Sequence, residues 1–133
     1  MSWFRLSSLI FTLWGVIFLF FAGRANQFGG IGYVDSKHAE DWTQIVGLFS
    51  LAFAALLHQA HRSANAEARR LVARGVLVLT VPCALLMTYW QVIADRRWIR
   101  LDILDILLLL VMSYGLFLES GLWSSRRPVP RSQ

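Results

Sequence analysis

Apolar residues in this chain come in long blocks, not in the alternation of a half-buried strand or the narrow stripe of a soluble amphipathic helix. Four blocks stand out, at about 3–22, 42–58, 71–94 and 98–118. Blocks near 20 residues suffice to carry a helix across a hydrocarbon core of ~30 Å. The pattern predicts an all-α protein: one integral membrane domain, 1–133, folded as a four-transmembrane-helix bundle with both termini on one side. Arg5 ahead of the first block also has the look of a signal peptide, but Phe20-Phe21-Ala22-Gly23-Arg24 offers no small-x-small cleavage site, so a retained helix is expected.

The blocks differ in ways that predict packing. The second carries Gly47, Ser50, Ala52, Ala54 and Ala55, small residues that let backbones approach, and is expected to be the most enclosed of the four. The third holds Pro82 at mid-span, where the missing N–H should free the carbonyl of Val78 and kink the helix, with Thr80 placed to satisfy it. The fourth ends at Glu119-Ser120-Gly121, with Gly121 a left-handed terminator. Asp95-Arg96-Arg97 alone separate the third and fourth blocks, which implies a tight hairpin. His61–Arg70 reads as helix continuing along the membrane surface, and residues 23–41, with Gly29, Gly30 and Gly32, as a long outer loop.

Charge orients this arrangement. The chain has thirteen basic residues against eight acids, a net charge of +5, yet the basic residues flank the apolar blocks and form no single face. That distribution fits anionic lipid headgroups and the positive-inside bias, and argues against a nucleic-acid partner. The side holding both termini has eight basic residues (Arg5, Arg62, Arg69, Arg70, Arg74, Arg126, Arg127 and Arg131) and the other has five (Arg24, Lys37, Arg96, Arg97 and Arg100). Both termini are therefore expected in the cytoplasm of a bacterial-type inner or plasma membrane, with a basic C-terminal tail over 124–133. Trp3, Trp42, Trp90, Trp98 and Trp123 fall at block ends, where indole rings prefer the water–hydrocarbon boundary, and only Trp14 lies mid-span.

The residues that could carry chemistry are few. Asp102 and Asp105 share one helix face, and Asp105 should lie roughly 10 Å below the Trp98 boundary at ~1.5 Å per residue. An unpaired carboxylate at membrane depth costs ~2.5–3.5 kcal/mol on insertion scales. Candidate partners on the outer side are Arg24, Lys37, His38 and Gln91, with Arg24 or His38 facing Asp105 through the first loop. In the plainer alternative, both acids pair with Arg96, Arg97 or Arg100 at the hairpin. Glu119 lies within about 40° of Asp105 around the same helix, but Ser113 is the one polar relay near the middle of that stripe, too little for a continuous ion path.

Other chemistry finds less support. His58 and His61, one turn apart, lack a third and fourth metal ligand nearby in sequence, so neither a metal site nor haem is expected, and no other cofactor is implied. Asp35, Ser36 and His38 lack a nucleophile-elbow context. Cys83, the single cysteine, excludes dithiol exchange and reads as a small packed side chain.

Three classes of function follow. The first is a non-catalytic subunit or binding module for a membrane complex or lipid-like ligand, with the bilayer and other membrane subunits or a second copy as partners. The second is a proton- or ion-coupled transport component using Asp102 and Asp105. The third is an enzyme acting on a lipid-linked substrate. An apolar groove would favour the first, a wet cavity at Asp105 the second, and a convergent polar pocket the third. A single cysteine placed within residues 25–41 of a chain lacking Cys83 should be labelled by an impermeant reagent from outside the cell; labelling only after permeabilisation would reverse the orientation.

Overall fold

The computed structural model describes residues 2–29, 36–94 and 100–122, with backbone alone at 28, 29, 36–38, 94 and 100–102. Every element among them is helical: α1 (Trp3–Phe20), α2 (Ala22–Gly29), α3 (Ser36–Arg62), α4 (Ala66–Tyr89), a π-helical turn (Trp90–Ala94) and α5 (Arg100–Glu119). Three of them, over Trp3–Phe20, Ala39–Arg62 and Ala66–Ile93, are long and apolar enough to cross a membrane. The chain is thus a helical membrane protein by length and composition. α5 is a further long apolar helix whose first turns carry Asp102 and Asp105.

Local signals set the ends. The Ser2 hydroxyl caps α1 by accepting from the Arg5 N–H, and Asn65 caps α4 by accepting from the N–H groups of Glu67 and Ala68 at 2.9 and 3.2 Å. Glu67 in the first turn of α4 also suits the positive end of the helix dipole. Gly121, with φ of 71°, occupies the left-handed position after α5 that the sequence predicts.

α1 and α3 form the closest pair. On α1 the buried residues Phe4, Ser8, Phe11, Gly15 and Phe18 recur with alternating spacings of three and four, and on α3 so do Gly47, Ser50, Ala54 and Leu57. This is the seam of a left-handed coiled coil. The antiparallel register runs without a slip from Ser2 beside His61, through Ser8 beside Ala54 and Gly15 beside Gly47, to Gly23 beside Glu40. At its centre the backbones nearly touch: a Cβ on Gly47 would lie 2.7 Å from the Leu19 nitrogen and 3.1 Å from the Gly15 oxygen. The buried Ser8 hydroxyl donates to the Ala54 carbonyl at 2.9 Å, a bond that leaves no polar group loose in the seam at that level.

α4 and α5 form the second pair, through Ala73, Val76, Thr80 and Ala84 on α4 and Met112, Ser113 and Leu116 on α5. The two pairs meet along α1–α5 and α3–α4, around a core of Phe4, Leu57, Ala73, Val76, Met112 and Leu116. These residues belong to the half of the molecule nearer Ser2 and Glu119. At the other end α2 folds back beside α1, α3 and α5.

Several expectations are corrected. The described part of 23–41 is helix, in α2 to Gly29 and in α3 from Ser36, because helix boundaries need not coincide with the ends of an apolar block. Residues 30–35 lie outside the described residues. His61–Arg70 is not one surface helix, since Ser63–Asn65 break it where the Asn65 N–H turns onto the Ser63 hydroxyl at 3.2 Å. The most enclosed span is α1, and α3 is no more buried than α4. Of the small residues of α3, Gly47, Ser50 and Ala54 are buried in the seam with α1, while Ala52 and Ala55 are exposed along with Trp42, Ile45, Leu48 and Phe49. α4 continues helically past the exposed Pro82 to Tyr89, and Thr80, instead of serving the Val78 carbonyl, takes a hydrogen bond from Ser113.

Gly75 supplies a control for the glycine contact, because a Cβ there meets nothing within 4 Å. Both sites gain equally in helix propensity on replacement by alanine, so the difference isolates the overpacking term of about 1–3 kcal/mol. Gly47→Ala should be less stable than Gly75→Ala by that amount in detergent thermal denaturation; equal stabilities would remove the close approach.

Candidate functional site

Because the two helix pairs are tightly joined only in the half near the termini, they leave a space between them in the other half. It is a cavity of about 700 Å³, within the ~300–1,000 Å³ typical of small-molecule sites. Its inner part is walled by Phe11 from α1, Phe53 from α3, Leu79 from α4 and Met112 from α5. Its wall toward the α2 end carries Trp42, Trp90, Asn26, Thr43 and Asp105. Polar groups are densest at that end, and Ser50 and Thr80 are the polar members of the otherwise mostly aromatic and aliphatic remainder.

The ring contacts give the walls their shape. Trp14 packs against Phe18 with centroids 4.7 Å apart and planes tilted by 30°, and Phe11 lies 5.7 Å from Phe53 at 37°. The polar lining is partly spoken for. Ser50 donates to the Val46 carbonyl one turn back at 2.9 Å, and the buried Thr80 hydroxyl accepts from Ser113 at 2.9 Å. Asn26, on the same α2 face as the buried Ala22 and Ala25, has its amide oxygen 2.9 Å from the Thr43 hydroxyl. Its amide nitrogen is buried without a partner among the described residues; the other such group, the Ser7 hydroxyl, does not line the cavity.

The opposite end is closed by a different set of contacts. Arg69 meets Glu119 at 3.3 Å and lies over the Phe4 ring, 5.3 Å from its centroid. Arg74 donates to the Ser120 carbonyl at 3.2 Å, so basic residues of α4 hold the negative end of the α5 dipole. With the pair 35% and 23% exposed, the Arg69–Glu119 bridge stabilises by at most about 1 kcal/mol. Trp3 packs on Gly115, where any Cβ would collide with the indole, and meets Tyr114 edge to face at 6.4 Å.

Of the residues singled out from the sequence, Asp105 lines the cavity and is half-buried. Gln91 is buried in the π-helical turn, next in sequence to the cavity-lining Trp90. Arg24 is exposed and lines a separate shallow recess with Phe20, Glu40 and Gln44, so it is not among the residues around Asp105 in the cavity. The side chains of Lys37, His38, Asp102 and Arg100, and all of Asp95–Arg97, Trp98, Trp123 and the 124–133 tail, lie outside the described residues. Among the described residues no three metal-type donors cluster; His61 Nδ1 lies 2.8 Å from the Ser2 hydroxyl and His58 is exposed. Glu119, placed on a stripe with Asp105 by the sequence, is engaged by Arg69 at the far end. Cys83 is not a packed core side chain: it is exposed and faces the cavity.

Sequence reasoning missed Asn26 because 23–41 reads as loop, and Thr43 because its partner Asn26 is distant in sequence. Taken as a helix, Ala22, Ala25 and Asn26 share one face, which would have flagged the amide as the polar member of a small-residue surface. Compared with family models, curated proteins and solved structures, the chain matches none.

Thr80 and Ser113 tie the two walls of the α4–α5 pair together at the inner end. Thr80→Val should leave the Ser113 hydroxyl stranded and cost ~0.6–1.7 kcal/mol, the range for such bonds between membrane helices. Adding Ser113→Ala should recover most of that loss. A double-mutant cycle read by thermal denaturation checks it, and zero coupling would deny the bond.

Proposed function

We propose that this protein is a non-catalytic, multi-pass membrane module that binds a lipid-like ligand between its two helix pairs. In this reading α5 is a fourth span, the termini lie in the cytoplasm of a bacterial-type inner or plasma membrane, and the polar end of the cavity opens toward the outer leaflet. The observation that carries it is the cavity's composition: aromatic and aliphatic along most of its length, with polar side chains densest at the end beside Trp42 and Trp90 and the Ser50 and Thr80 hydroxyls bonded within the protein. An amphiphile matches that gradient, its chain removed from water at about 0.8 kcal/mol per methylene and its head at interface depth. The partners of such a module are the bilayer and other membrane subunits or a second copy.

Asp105 on the cavity wall is what favours a second reading, in which the protein is a proton- or ion-coupled component. A path through the chain would have to pass the core around Phe4, Leu57 and Leu116, all with no exposure, which supplies no polar relay. The ligand-binding reading needs no such path.

Photolysis of a chain-labelled diazirine amphiphile with the purified protein in nanodiscs separates a site from bulk lipid contact. Cross-links should concentrate on Phe53, Leu79 and Met112 and fall when unlabelled amphiphile is added. Even labelling of outward residues such as Leu13, Val78, Leu85 and Tyr114, unaffected by competitor, would overturn the proposal.

A further inference from the structure

We infer that the recess lined by Arg24 and Glu40 is a headgroup site for a zwitterionic phospholipid that carries a primary amine. The inference goes beyond the ligand-binding reading, since this recess shares no lining residue with the cavity between the helix pairs. Its volume is about 270 Å³. One apolar span, Trp3–Phe20, ends at it, and another, Ala39–Arg62, begins there, which puts it at the depth of lipid headgroups. Phe20 and Phe21, 69% and 51% exposed, give the same recess an apolar border. Val16, one turn before Phe20 and also exposed, continues that border along α1 toward the hydrocarbon.

The polar lining carries both signs of charge. Arg24 and Glu40 share the recess, yet neither forms an ion pair or a side-chain hydrogen bond among the described residues, and the Gln44 amide beside them forms none either. Glu40 is half-buried, and its carboxylate lies against the first turn of α2, where a Cβ on Gly23 would come within 2.5 Å of Oε1. The missing side chain at Gly23 is what admits the carboxylate. A phosphate matches Arg24, because a planar guanidinium donates to two phosphate oxygens at once. A primary ammonium matches Glu40 and the Gln44 carbonyl, because it has three N–H groups to place on acceptors. A trimethylated ammonium has none to give. A headgroup with phosphate alone would satisfy Arg24 and leave Glu40 facing negative charge.

Carbodiimide coupling reads the amine directly, since it joins a carboxylate to a primary amine held against it. The full-length protein in mixed micelles containing dioleoylphosphatidylethanolamine is treated with carbodiimide, digested and mapped by mass spectrometry. Asp41, exposed and next in the chain, reports chance encounters at the same depth. The lipid adduct at Glu40 should exceed that at Asp41 about tenfold, the ratio that ~1.4 kcal/mol represents. Arg24→Gln should bring the Glu40 adduct down to the Asp41 level and leave Asp41 unchanged. In native mass spectrometry the unaltered protein should retain phosphatidylethanolamine over phosphatidylcholine and phosphatidylglycerol, and Glu40→Gln should abolish that preference. Equal adducts at the two acids, no adduct at Glu40, a yield unaffected by Arg24→Gln, or retention of either other lipid at the level of phosphatidylethanolamine would overturn the assignment. Soluble phosphoethanolamine coupling to Glu40 as well as the phospholipid does would remove the membrane source. Should a variant fail to fold, Glu40 against Asp41 in the unaltered protein decides alone. None of these outcomes bears on labelling of Phe53, Leu79 and Met112, so the cavity proposal stands or falls separately.

Discussion

The near contact of two backbones at Gly15 and Gly47 sets the distance between α1 and α3, and much of the remaining structure is a response to it. In lipid, apolar side chains gain little by leaving their surroundings for one another, so helices associate where shape allows close packing and where polar groups find partners. Two glycines with nothing between them, flanked by Ser8 on the Ala54 carbonyl, meet both conditions. Where the two backbones meet, the seam leaves no room for a side chain on Gly47. Trp14, Trp42, Phe49 and Phe53 lie outside its centre, and all four line the space shared with α4 and α5.

That space follows from unequal closure. Near the termini the helix pairs are joined by the Phe4–Leu57–Leu116 core and by the arginines of α4 on the end of α5. Toward α2 the rings of Trp14, Phe18, Trp42 and Trp90 line the space between the walls. The polar side chains follow the same division. In the closed half and at the inner end Ser113 pairs with Thr80 and Arg69 with Glu119, the buried Ser7 hydroxyl being the exception. The Asn26 amide, at the open end, is not fully paired among the described residues.

Much of this was legible in the residues and some was not. Long apolar blocks announce membrane helices, and Glu119-Ser120-Gly121 announces the end of α5, because both signals are local. The small residues of α3 announced a close partner but not the total burial of the helix, since one face can be intimate while the other meets lipid. The role of Thr80 was misassigned because its partner, Ser113, is distant in sequence and an interhelical bond has no local signature. Asn26 was overlooked for a related reason: polar residues near glycines resemble loop, and only the helical phase of Ala22, Ala25 and Asn26 brings out their common side. Asp105 stood out because acids are rare in such blocks, and the same rarity obliges the fold to place it at a cavity wall.

The π-helical turn at Trp90–Ala94 has a consequence for how this end of the molecule tolerates change. A turn closed by i→i+5 bonds accommodates one residue more than the α-helix around it. Trp90, at the start of this turn, borders the cavity, and its neighbour Gln91 is buried. Because the wide turn absorbs the extra residue, shortening it by one would return it to α geometry and leave the flanking helix nearly in phase. Here the loss of a residue is a local event, whereas the same loss in the body of α4 would turn every later side chain by about 100°.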